Sequence, residues 1–161
     1  GMSANAFKTV VDIDLNGTFN VFRGCHDLLN LPGASLIAIT AGQAVNAVQL
    51  QAHACAAKAG INQLIRVLAL EWGPDVRVNG ISPGPIEGTE GMARLAPDAS
   101  TKAKHFERIA MKRWGFIEEI AEGAVFLSSD AAKYITGTIL DIDGGSQIGD
   151  ATRRSLDQGL A

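Results

Sequence analysis

Apolar and polar residues follow one another along this chain in blocks that predict helices and strands in turn. Helical spacing of apolar residues, in steps of three and four, recurs over 5–30, 50–72 and 117–127. A more polar helical pattern covers 98–112. Nearly unbroken apolar runs, which are typical of strands covered on both faces, occupy 35–40, 76–82 and 138–142. The pattern therefore predicts strands that alternate with helices along most of the chain.

This alternation indicates the fold class. Strands separated by helices build a parallel sheet whose faces the helices cover, with right-handed crossovers. Three strands are few for such a sheet, and an apolar run like 35–40 needs a neighbouring strand on each side. We therefore predict an α/β fold, the carboxyl-terminal half of a doubly wound parallel-sheet domain, over residues 1–148. Residues 149–161 are predicted to form a polar tail.

Composition and charge narrow the class of partner. Of the 161 residues, 47% are apolar and 19% are charged, which is typical of a globular protein. The formal net charge of -3 gives no reason to expect nucleic acid or an anionic membrane as a partner. No apolar run approaches the roughly 18 residues of a membrane span. Neither the two cysteines, Cys25 and Cys55, nor the three scattered histidines have metal-site spacing, so we expect no metal and a cytoplasmic location.

Two charged residues stand where apolar residues are expected. Asp14 falls on the predicted buried stripe of the 5–30 helix, and Lys58 falls on that of the 50–72 helix. Burying a charge is costly unless a hydrogen bond or a partner of opposite sign compensates it. Either the two charges are structural residues at the rims of their stripes, or they compensate each other in a site. From the pattern alone, both interpretations stay open.

The strand at 76–82 ends in a loop with two prolines, two glycines and then a threonine. Such a loop presents bare backbone groups at the carboxyl end of a sheet, where open α/β sheets bind their ligands. It resembles the Pro-Gly loop of the short-chain dehydrogenase/reductase family, which closes over the nicotinamide half of a dinucleotide. The resemblance implies cofactor contacts from Pro83, Gly84, Pro85, Ile86 and Thr89.

Further motifs occur in the order of that family. Residues 14–19 resemble its Asn-Leu-x-Gly-x-Phe helix motif, with Asp14 in place of the catalytic asparagine. Thr40 lies where the family's strand ends in its serine-bearing segment, which implies a place beside the cofactor. Residues 54–58 resemble the Tyr-x-x-x-Lys motif, so the resemblance implies that Lys58 holds the nicotinamide ribose. The family's structural closing segment is resembled by 134–137 and 143–145.

The resemblance implies a Rossmann-type reductase domain that is incomplete in this chain. Nothing in the 161 residues resembles the family's glycine-rich phosphate loop, which in the family precedes the matching part. We therefore expect the amino-terminal dinucleotide-binding half to be missing and the chain by itself to be inactive. In this family the helices that correspond to 5–30 and 50–72 form the subunit interface, which implies a homo-oligomer, either a dimer or a tetramer.

The chain departs from the family at its catalytic tyrosine. Ala54 stands at the position of this usual proton donor, and the one tyrosine of the chain, Tyr134, lies in the closing segment. One branch of the family, the 2,4-dienoyl-CoA reductases of the peroxisomal and bacterial type, lacks this tyrosine. That branch has an aspartate where Asp14 stands, and its Pro-Gly loop resembles residues 83–91. The departure therefore favours this branch.

The branch implies NADPH-dependent reduction of 2,4-dienoyl-CoA thioesters to 3-enoyl-CoA. Asp14 and Lys58 would be the catalytic residues and would hold a water that supplies the proton. Arg94 falls where the branch has an arginine that contacts coenzyme A, and a guanidinium suits phosphate recognition. The polar Gln43, near the site, is a second candidate for contact with the acyl-CoA substrate.

Two other interpretations stay open. A short-chain reductase or dehydrogenase of 3-oxoacyl or alcohol substrates would share the fold and the cofactor, although the absent tyrosine argues against it. A non-catalytic relative would instead use its two long helices as a subunit-interaction module. Cofactor binding separates the third interpretation from the enzymes, and turnover of a dienoyl thioester separates the first from the second.

Overall fold

The computed structural model describes residues 2–152 and contains one three-stranded parallel sheet. Its strands, in order across the sheet, are β1 (Ala34–Ile39), β2 (Val76–Pro83) and β3 (Ile139–Ile142). Ala34 pairs with Val76 at one end of the first ladder, and Gly80 pairs with Ile139 in the second. Because all three strands run in the same direction, their carboxyl ends meet at one edge of the sheet.

Helices connect the strands and cover both faces of the sheet. They are α1 (Ala4–Val11), α2 (Gly17–Cys25), α3 (Ala52–Trp72), α4 (Glu90–Leu95), α5 (Ala99–Arg108) and α6 (Ile117–Ser128). Helix α3 packs on one face, where a Cβ on Gly80 of β2 would be 2.8 Å from the Ile65 side chain. Helix α6 packs on the other, where Arg77 of β2 donates to the Leu127 carbonyl at 2.7 Å. The predicted α/β class with a covered parallel sheet is confirmed.

The main core lies between α2, α3 and the sheet. Ile61 and Ile65 of α3 and Val78 of β2 have no exposed surface, and Phe22 of α2 belongs to the same cluster. These residues of α3 lie on the apolar stripe that the spacing predicts for 50–72. Burial of this stripe therefore fixes α3 on the sheet and places its amino-terminal turns beside the end of β1.

The helix predicted over 5–30 ends earlier than expected. Regular helix stops at Cys25, and a 3₁₀ turn over His26–Leu28 follows. At this turn the His26 ring packs against the Trp72 ring, with their centroids 4.7 Å apart. The chain turns there toward the carboxyl end of α3, so the upper bound predicted for the first helix is wrong.

A wide turn also interrupts the first helix. Residues Asp12–Asn16 form a π-helical turn between α1 and α2. Such a turn holds more residues than an α-helical one and rotates the stripe that follows it. Phe22 is therefore buried beyond the turn, whereas Val21 is 61% exposed. The apolar spacing over 5–30 places Val21 on the predicted buried stripe, and this prediction is wrong. Asp14 lies on the wide turn itself.

The predicted polar tail is described only at its beginning. Asp150 forms an ion pair with Arg108 at 3.1 Å, and the Ala151 N–H donates to the Arg108 carbonyl at 3.1 Å. The remainder, 153–161, lies outside the described residues. No described helix is long and apolar enough to cross a membrane. Within residues 2–152, no group of three or more His, Cys, Asp and Glu side chains is arranged to hold a metal ion.

Candidate active site

Asp14 and Lys58, the two charges at apolar positions, lie next to each other. Asp14 Oδ2 is 3.5 Å from Lys58 Nζ, and the two side chains are 29% and 22% exposed. Lys58 Nζ also donates to the carbonyl of Ile39, the last residue of β1, at 3.4 Å. The pair therefore compensates two partly buried charges at the sheet edge where open α/β sheets bind their ligands.

Close packing of two helices brings these side chains together. Asp14 lies in the π-helical turn, and its carbonyl accepts the Thr18 hydroxyl at 2.6 Å. Helix α3 approaches this turn at Gly60, where a Cβ would be 2.7 Å from Leu15 Cδ2. Lys58 lies two residues before Gly60 on α3, and its long side chain extends to the Asp14 carboxylate at 3.5 Å. A glycine in α3 thus permits the contact between the pair.

Thr40 follows β1 and is held there by buried hydrogen bonds. Its N–H donates to the Ile81 carbonyl at 2.8 Å, and its hydroxyl donates to Asn62 Oδ1 at 2.6 Å. Thr40 and Asn62 are 2% and 6% exposed. The hydroxyl is therefore engaged by α3, and the predicted contact of Thr40 with a cofactor stays a prediction. Asn62 was not predicted from the sequence. Its position one helical turn after Lys58, on the same face of α3, could have identified it as a neighbour of the site.

The Pro-Gly loop leaves β2 and packs on the turn that follows β3. The Gly84 N–H donates to the Ile142 carbonyl at 3.0 Å. A Cβ on Gly84 would lie 2.5 Å from Asp143 Cα, so only glycine fits at this close approach of two backbones. The Thr89 hydroxyl donates to the Ile86 carbonyl at 2.9 Å. The five loop residues predicted to contact the cofactor therefore lie beside the carboxyl ends of β2 and β3.

Helix α4, which follows this loop, was not predicted from the sequence. Its few residues show no helical period, although Thr89 is a capping residue whose Oγ accepts the Met92 N–H at 3.4 Å. Arg94 lies on this helix and is largely exposed, and it forms an ion pair with Glu90 one turn earlier. Within the described residues, the structure does not bring Arg94 into contact with the Asp14–Lys58 pair.

Gln43 lies in the 3₁₀ turn Gly42–Ala44 that follows Thr40 along the chain. Its Nε2 donates to Gln51 Oε1 at 3.2 Å, immediately before α3 begins. Gln43 also lines a cleft of about 380 Å³. The structure therefore places Gln43 at the same edge of the sheet as the Asp14–Lys58 pair, with its amide group bordering open space.

Gln147 is a residue at this edge that the sequence did not indicate. Its Nε2 donates to Ser82 Oγ at 3.0 Å, and its carboxamide fills the space that a side chain at Gly42 would need. Its Oε1 is buried and has no hydrogen-bond partner among the described residues. Gln147 follows a run of turn residues, which carries no periodic signal, so only the folded structure shows its place.

Known proteins resemble this chain over most of its length. Residues 1–147 match the family described as Enoyl-(Acyl carrier protein) reductase. The peroxisomal 2,4-dienoyl-CoA reductase of Rattus norvegicus is 46% identical over 148 residues, which are 90% of this chain and 50% of that protein. A probable 2,4-dienoyl-CoA reductase of Bacillus subtilis is 38% identical, over 89% of this chain and 58% of that protein. The chain thus spans about half the length of the curated relatives it matches.

Solved structures show the same fold. A putative 2-deoxy-d-gluconate 3-dehydrogenase from Agrobacterium tumefaciens with bound NADP has a TM-score of 0.84 at 34% identity, over 91% of this chain and 61% of that chain. A short chain dehydrogenase from Bacillus anthracis has a TM-score of 0.73, also at 34% identity, over 89% and 56% of the two chains. By the family match, the relatives and these structures, the chain belongs to the short-chain dehydrogenase/reductase family and forms part of its doubly wound fold.

Proposed function

We propose that the full-length protein reduces 2,4-dienoyl-CoA thioesters to 3-enoyl-CoA with NADPH. The observation that carries the proposal is the Asp14–Lys58 pair, whose charged atoms are 3.5 Å apart. On the helix that carries Lys58, Ala54 stands at the position of the family's tyrosine. A carboxylate and an ammonium without a phenol suit a reduction in which no alkoxide forms on a ketone carbon. Relatives that are 46% and 45% identical carry the name of this activity.

The residues around the Pro-Gly loop fit a nicotinamide cofactor. Lys58 Nζ has two acceptors, Asp14 Oδ2 and the Ile39 carbonyl, which leaves one of its three N–H groups for a ribose hydroxyl. Within residues 2–152 the Ile86 N–H has no hydrogen-bond partner, so it is a donor available to a carboxamide. NADPH, when bound, supplies a hydride to the far end of the conjugated dienoyl system.

Asp14 and Lys58 carry out the proton chemistry in this proposal. The two residues act on a dienolate, and the Lys58 ammonium stabilises its negative charge. A water held between Asp14 Oδ2 and Lys58 Nζ gives a proton to the carbon next to the thioester, and solvent restores that proton afterwards. One hydride and one proton are added in total, and one double bond remains. No group is needed to protonate a ketone oxygen, which is the task of the missing tyrosine.

The acyl-CoA contacts are assigned to Arg94 and Gln43. The ion pair between Arg94 and Glu90 is exposed, and such pairs are weak enough for the guanidinium to exchange its carboxylate partner for a phosphate. Gln43 borders the cleft that follows β1, and in this proposal its amide group donates to the thioester carbonyl. Coenzyme A is therefore recognised on the outer side of α4 and the thioester near the end of β1.

The protein assembles as a homo-oligomer through its long helices in this proposal. Ile13 and Val21 on the first helix and Leu70 on α3 are apolar and largely exposed. A self-complementary contact between two copies would remove these side chains from water. Sedimentation of the full-length protein decides between a monomer, a dimer and a tetramer. The cytoplasmic location stays a prediction, which fractionation of the source cells tests.

The test follows NADPH oxidation by the full-length protein with a 2,4-dienoyl-CoA and, separately, with a 3-oxoacyl-CoA. We expect oxidation with the dienoyl thioester alone and a 3-enoyl-CoA as the product. Oxidation with the oxo compound alone would contradict the proposal and favour a dehydrogenase in which another group replaces the tyrosine. No oxidation with either substrate, together with no binding of NADPH, would favour the non-catalytic interaction module.

A further inference from the structure

The chain leaves the sheet after the Pro-Gly loop and returns to the same place after α5. The two ends of this excursion, residues 87–115, are joined by backbone hydrogen bonds. The Glu87 N–H donates to the Gly115 carbonyl at 2.8 Å, and the Gly115 N–H donates to the Pro85 carbonyl at 2.9 Å. Helices α4 and α5 therefore lie in one closed segment whose base is the Pro-Gly loop.

Lys102, on α5 in the middle of this segment, reaches back to its base. Lys102 Nζ lies 2.7 Å from Glu87 Oε1 and 2.6 Å from Glu87 Oε2, so it bridges both carboxylate oxygens. The ion pair joins two residues that are 15 positions apart, across a helix end and a loop. It therefore holds α5 against the Pro-Gly loop by a contact that neither backbone hydrogen bond supplies.

Two aromatic rings enclose the same ammonium. Lys102 Nζ lies 4.8 Å from the centroid of the Trp114 ring and 5.6 Å from that of Phe106. These rings pack edge to face, 5.7 Å apart, and Trp114 is 5% exposed. A cation at such distances is attracted by the ring electrons, more strongly where water is excluded. The ammonium is therefore held from two directions, by the Glu87 carboxylate and by the rings.

Glu87 lies between two parts of the proposed site. It directly follows Ile86, the proposed donor to the cofactor carboxamide, and it precedes Thr89, which begins α4 and donates to the Ile86 carbonyl. Any displacement of Glu87 therefore moves the loop that contacts the cofactor and the helix that carries Arg94. An ordinary exposed ion pair on a helix surface would have no such consequence.

We propose that Lys102 is a positioning residue, which holds the Pro-Gly loop and α4 in place for cofactor and acyl-CoA binding by its contact with Glu87. The inference rests on the proposed function for its kinetic consequences. It predicts that loss of the Lys102 charge weakens the binding of both ligands. The proton chemistry proposed for Asp14 and Lys58 is left intact, since within residues 2–152 their ion pair and hydrogen bonds involve no residue of this segment.

The test compares Lys102→Met with Lys104→Met in the full-length protein. Methionine keeps the length of the lysine stem and removes its charge, and the exposed Lys104 on the same helix is the matched control. We expect Lys102→Met to raise KM for NADPH and for the dienoyl-CoA about tenfold with kcat retained, the size expected from losing one charge-assisted hydrogen bond. Lys102→Arg, which keeps the charge and the ring contacts, should restore KM. If Lys102→Met folds poorly, Glu87→Gln takes its place and should raise both KM values by a similar factor.

A second measurement does not depend on turnover. Hydrogen exchange followed by mass spectrometry reports the protection of α5, residues 99–108, in each variant without substrate. We expect faster exchange there in Lys102→Met and Glu87→Gln, and no change in Lys104→Met or Lys102→Arg. If no variant and no wild-type protein turns over a dienoyl-CoA, the proposed function fails, and exchange together with NADPH affinity still decides the role of Lys102.

Two results would overturn the positioning role. One is a Lys102→Met protein that matches Lys104→Met in ligand affinity and in exchange, since the ion pair would then hold nothing in place. The other is a fall in kcat with both KM values unchanged, which would place Lys102 in the chemistry instead.

Discussion

The two sides of the candidate site are held by different forces. On one side, Asp14 and Lys58 meet because two long helices pack closely, with Leu15 against Gly60. On the other, ion pairs recur in and after the segment that follows the Pro-Gly loop, such as those of Lys102 with Glu87 and of Arg113 with Glu119 on α6. Helix packing positions the first side, whereas partly exposed ion pairs, together with the buried Trp114 ring, position the second.

This difference has a physical consequence. Exposed charges are screened by salt and titrate with pH, whereas buried apolar contacts are little affected by either. The helix-packed side should therefore keep its geometry over a wide range of conditions, and the loop side should respond to salt and acid. The side proposed for the chemistry is therefore expected to be the more rigid of the two.

Removing the charge at Lys58 is expected to have the largest effect on the helix-packed side. Lys58→Ala takes away the ammonium that, in the proposed function, stabilises the dienolate and holds the ribose. Dienoyl-CoA turnover should fall by about 10²–10⁴-fold, the usual contribution of acid–base groups, and NADPH should bind more weakly. Steady-state kinetics, an NADPH titration and circular dichroism of the full-length protein measure activity, binding and folding. Retained turnover in a folded Lys58→Ala protein would remove the mechanism.

The buried hydrogen bond from Thr40 to Asn62 tests whether a polar contact in the core also stabilises the helix-packed side. Thr40→Val leaves Asn62 Oδ1 without the donor that it has at 2.6 Å. A buried polar group without its partner costs about 1–3 kcal/mol, and we expect that loss in the free energy of unfolding. Urea denaturation measures it, with Thr9→Val as the control, because the exposed Thr9 hydroxyl donates to the Asn5 carbonyl at 2.9 Å. Equal losses in the two variants would mean that the Thr40 contact has no special role.

The smallest effect is expected on the loop side, in acid. Hydrogen bonds from the Arg113 guanidinium and the Phe116 N–H hold the pKa of Glu119 at about 2. Because this folded-state pKa lies below the unfolded value of about 4.3, the Glu119 contribution to stability is present above that value and is lost as the pH falls toward 2. Glu119→Gln should therefore flatten the dependence of the unfolding temperature on pH in this range. The exposed Glu118, changed to Gln, is the control, and an unchanged acid dependence in Glu119→Gln would contradict the assignment.

The sequence predicted the helix-packed side better than the loop side. Apolar periods located its strands and its long helices, and charges at apolar positions marked Asp14 and Lys58. The π-helical turn at Asp12–Asn16 was missed, because one extra residue leaves the spacing on either side of it intact. The exposure of Val21 followed from that turn and was missed with it.

The loop side was only partly predictable, because its contacts join residues that no period relates. The family resemblance indicated the Pro-Gly loop, and the structure shows why Gly84 is needed there. Nothing in the spacing indicated that Lys102 returns to Glu87, or that Gln147 reaches Ser82 from 65 residues away. Such contacts depend on where loops end in space, and that is set by the packing of the whole domain.

In the proposed function, a carboxylate beside Lys58 takes part in the chemistry that a tyrosine performs elsewhere in the family. Asp14→Asn tests it most directly, since it removes the charge and keeps the shape of the side chain. Asp12 lies in the same π-helical turn, is exposed and bonds to Asn16 at 2.9 Å, so Asp12→Asn is the matched control.

The measurement is kcat for a 2,4-dienoyl-CoA at saturating NADPH, together with the Kd of NADPH, in both full-length variants. We expect Asp14→Asn to lower kcat by about 10²–10⁴-fold and to leave the Kd unchanged. Asp12→Asn should change neither value. An Asp14→Asn protein that reduces the dienoyl thioester as fast as the Asp12→Asn protein would contradict the account.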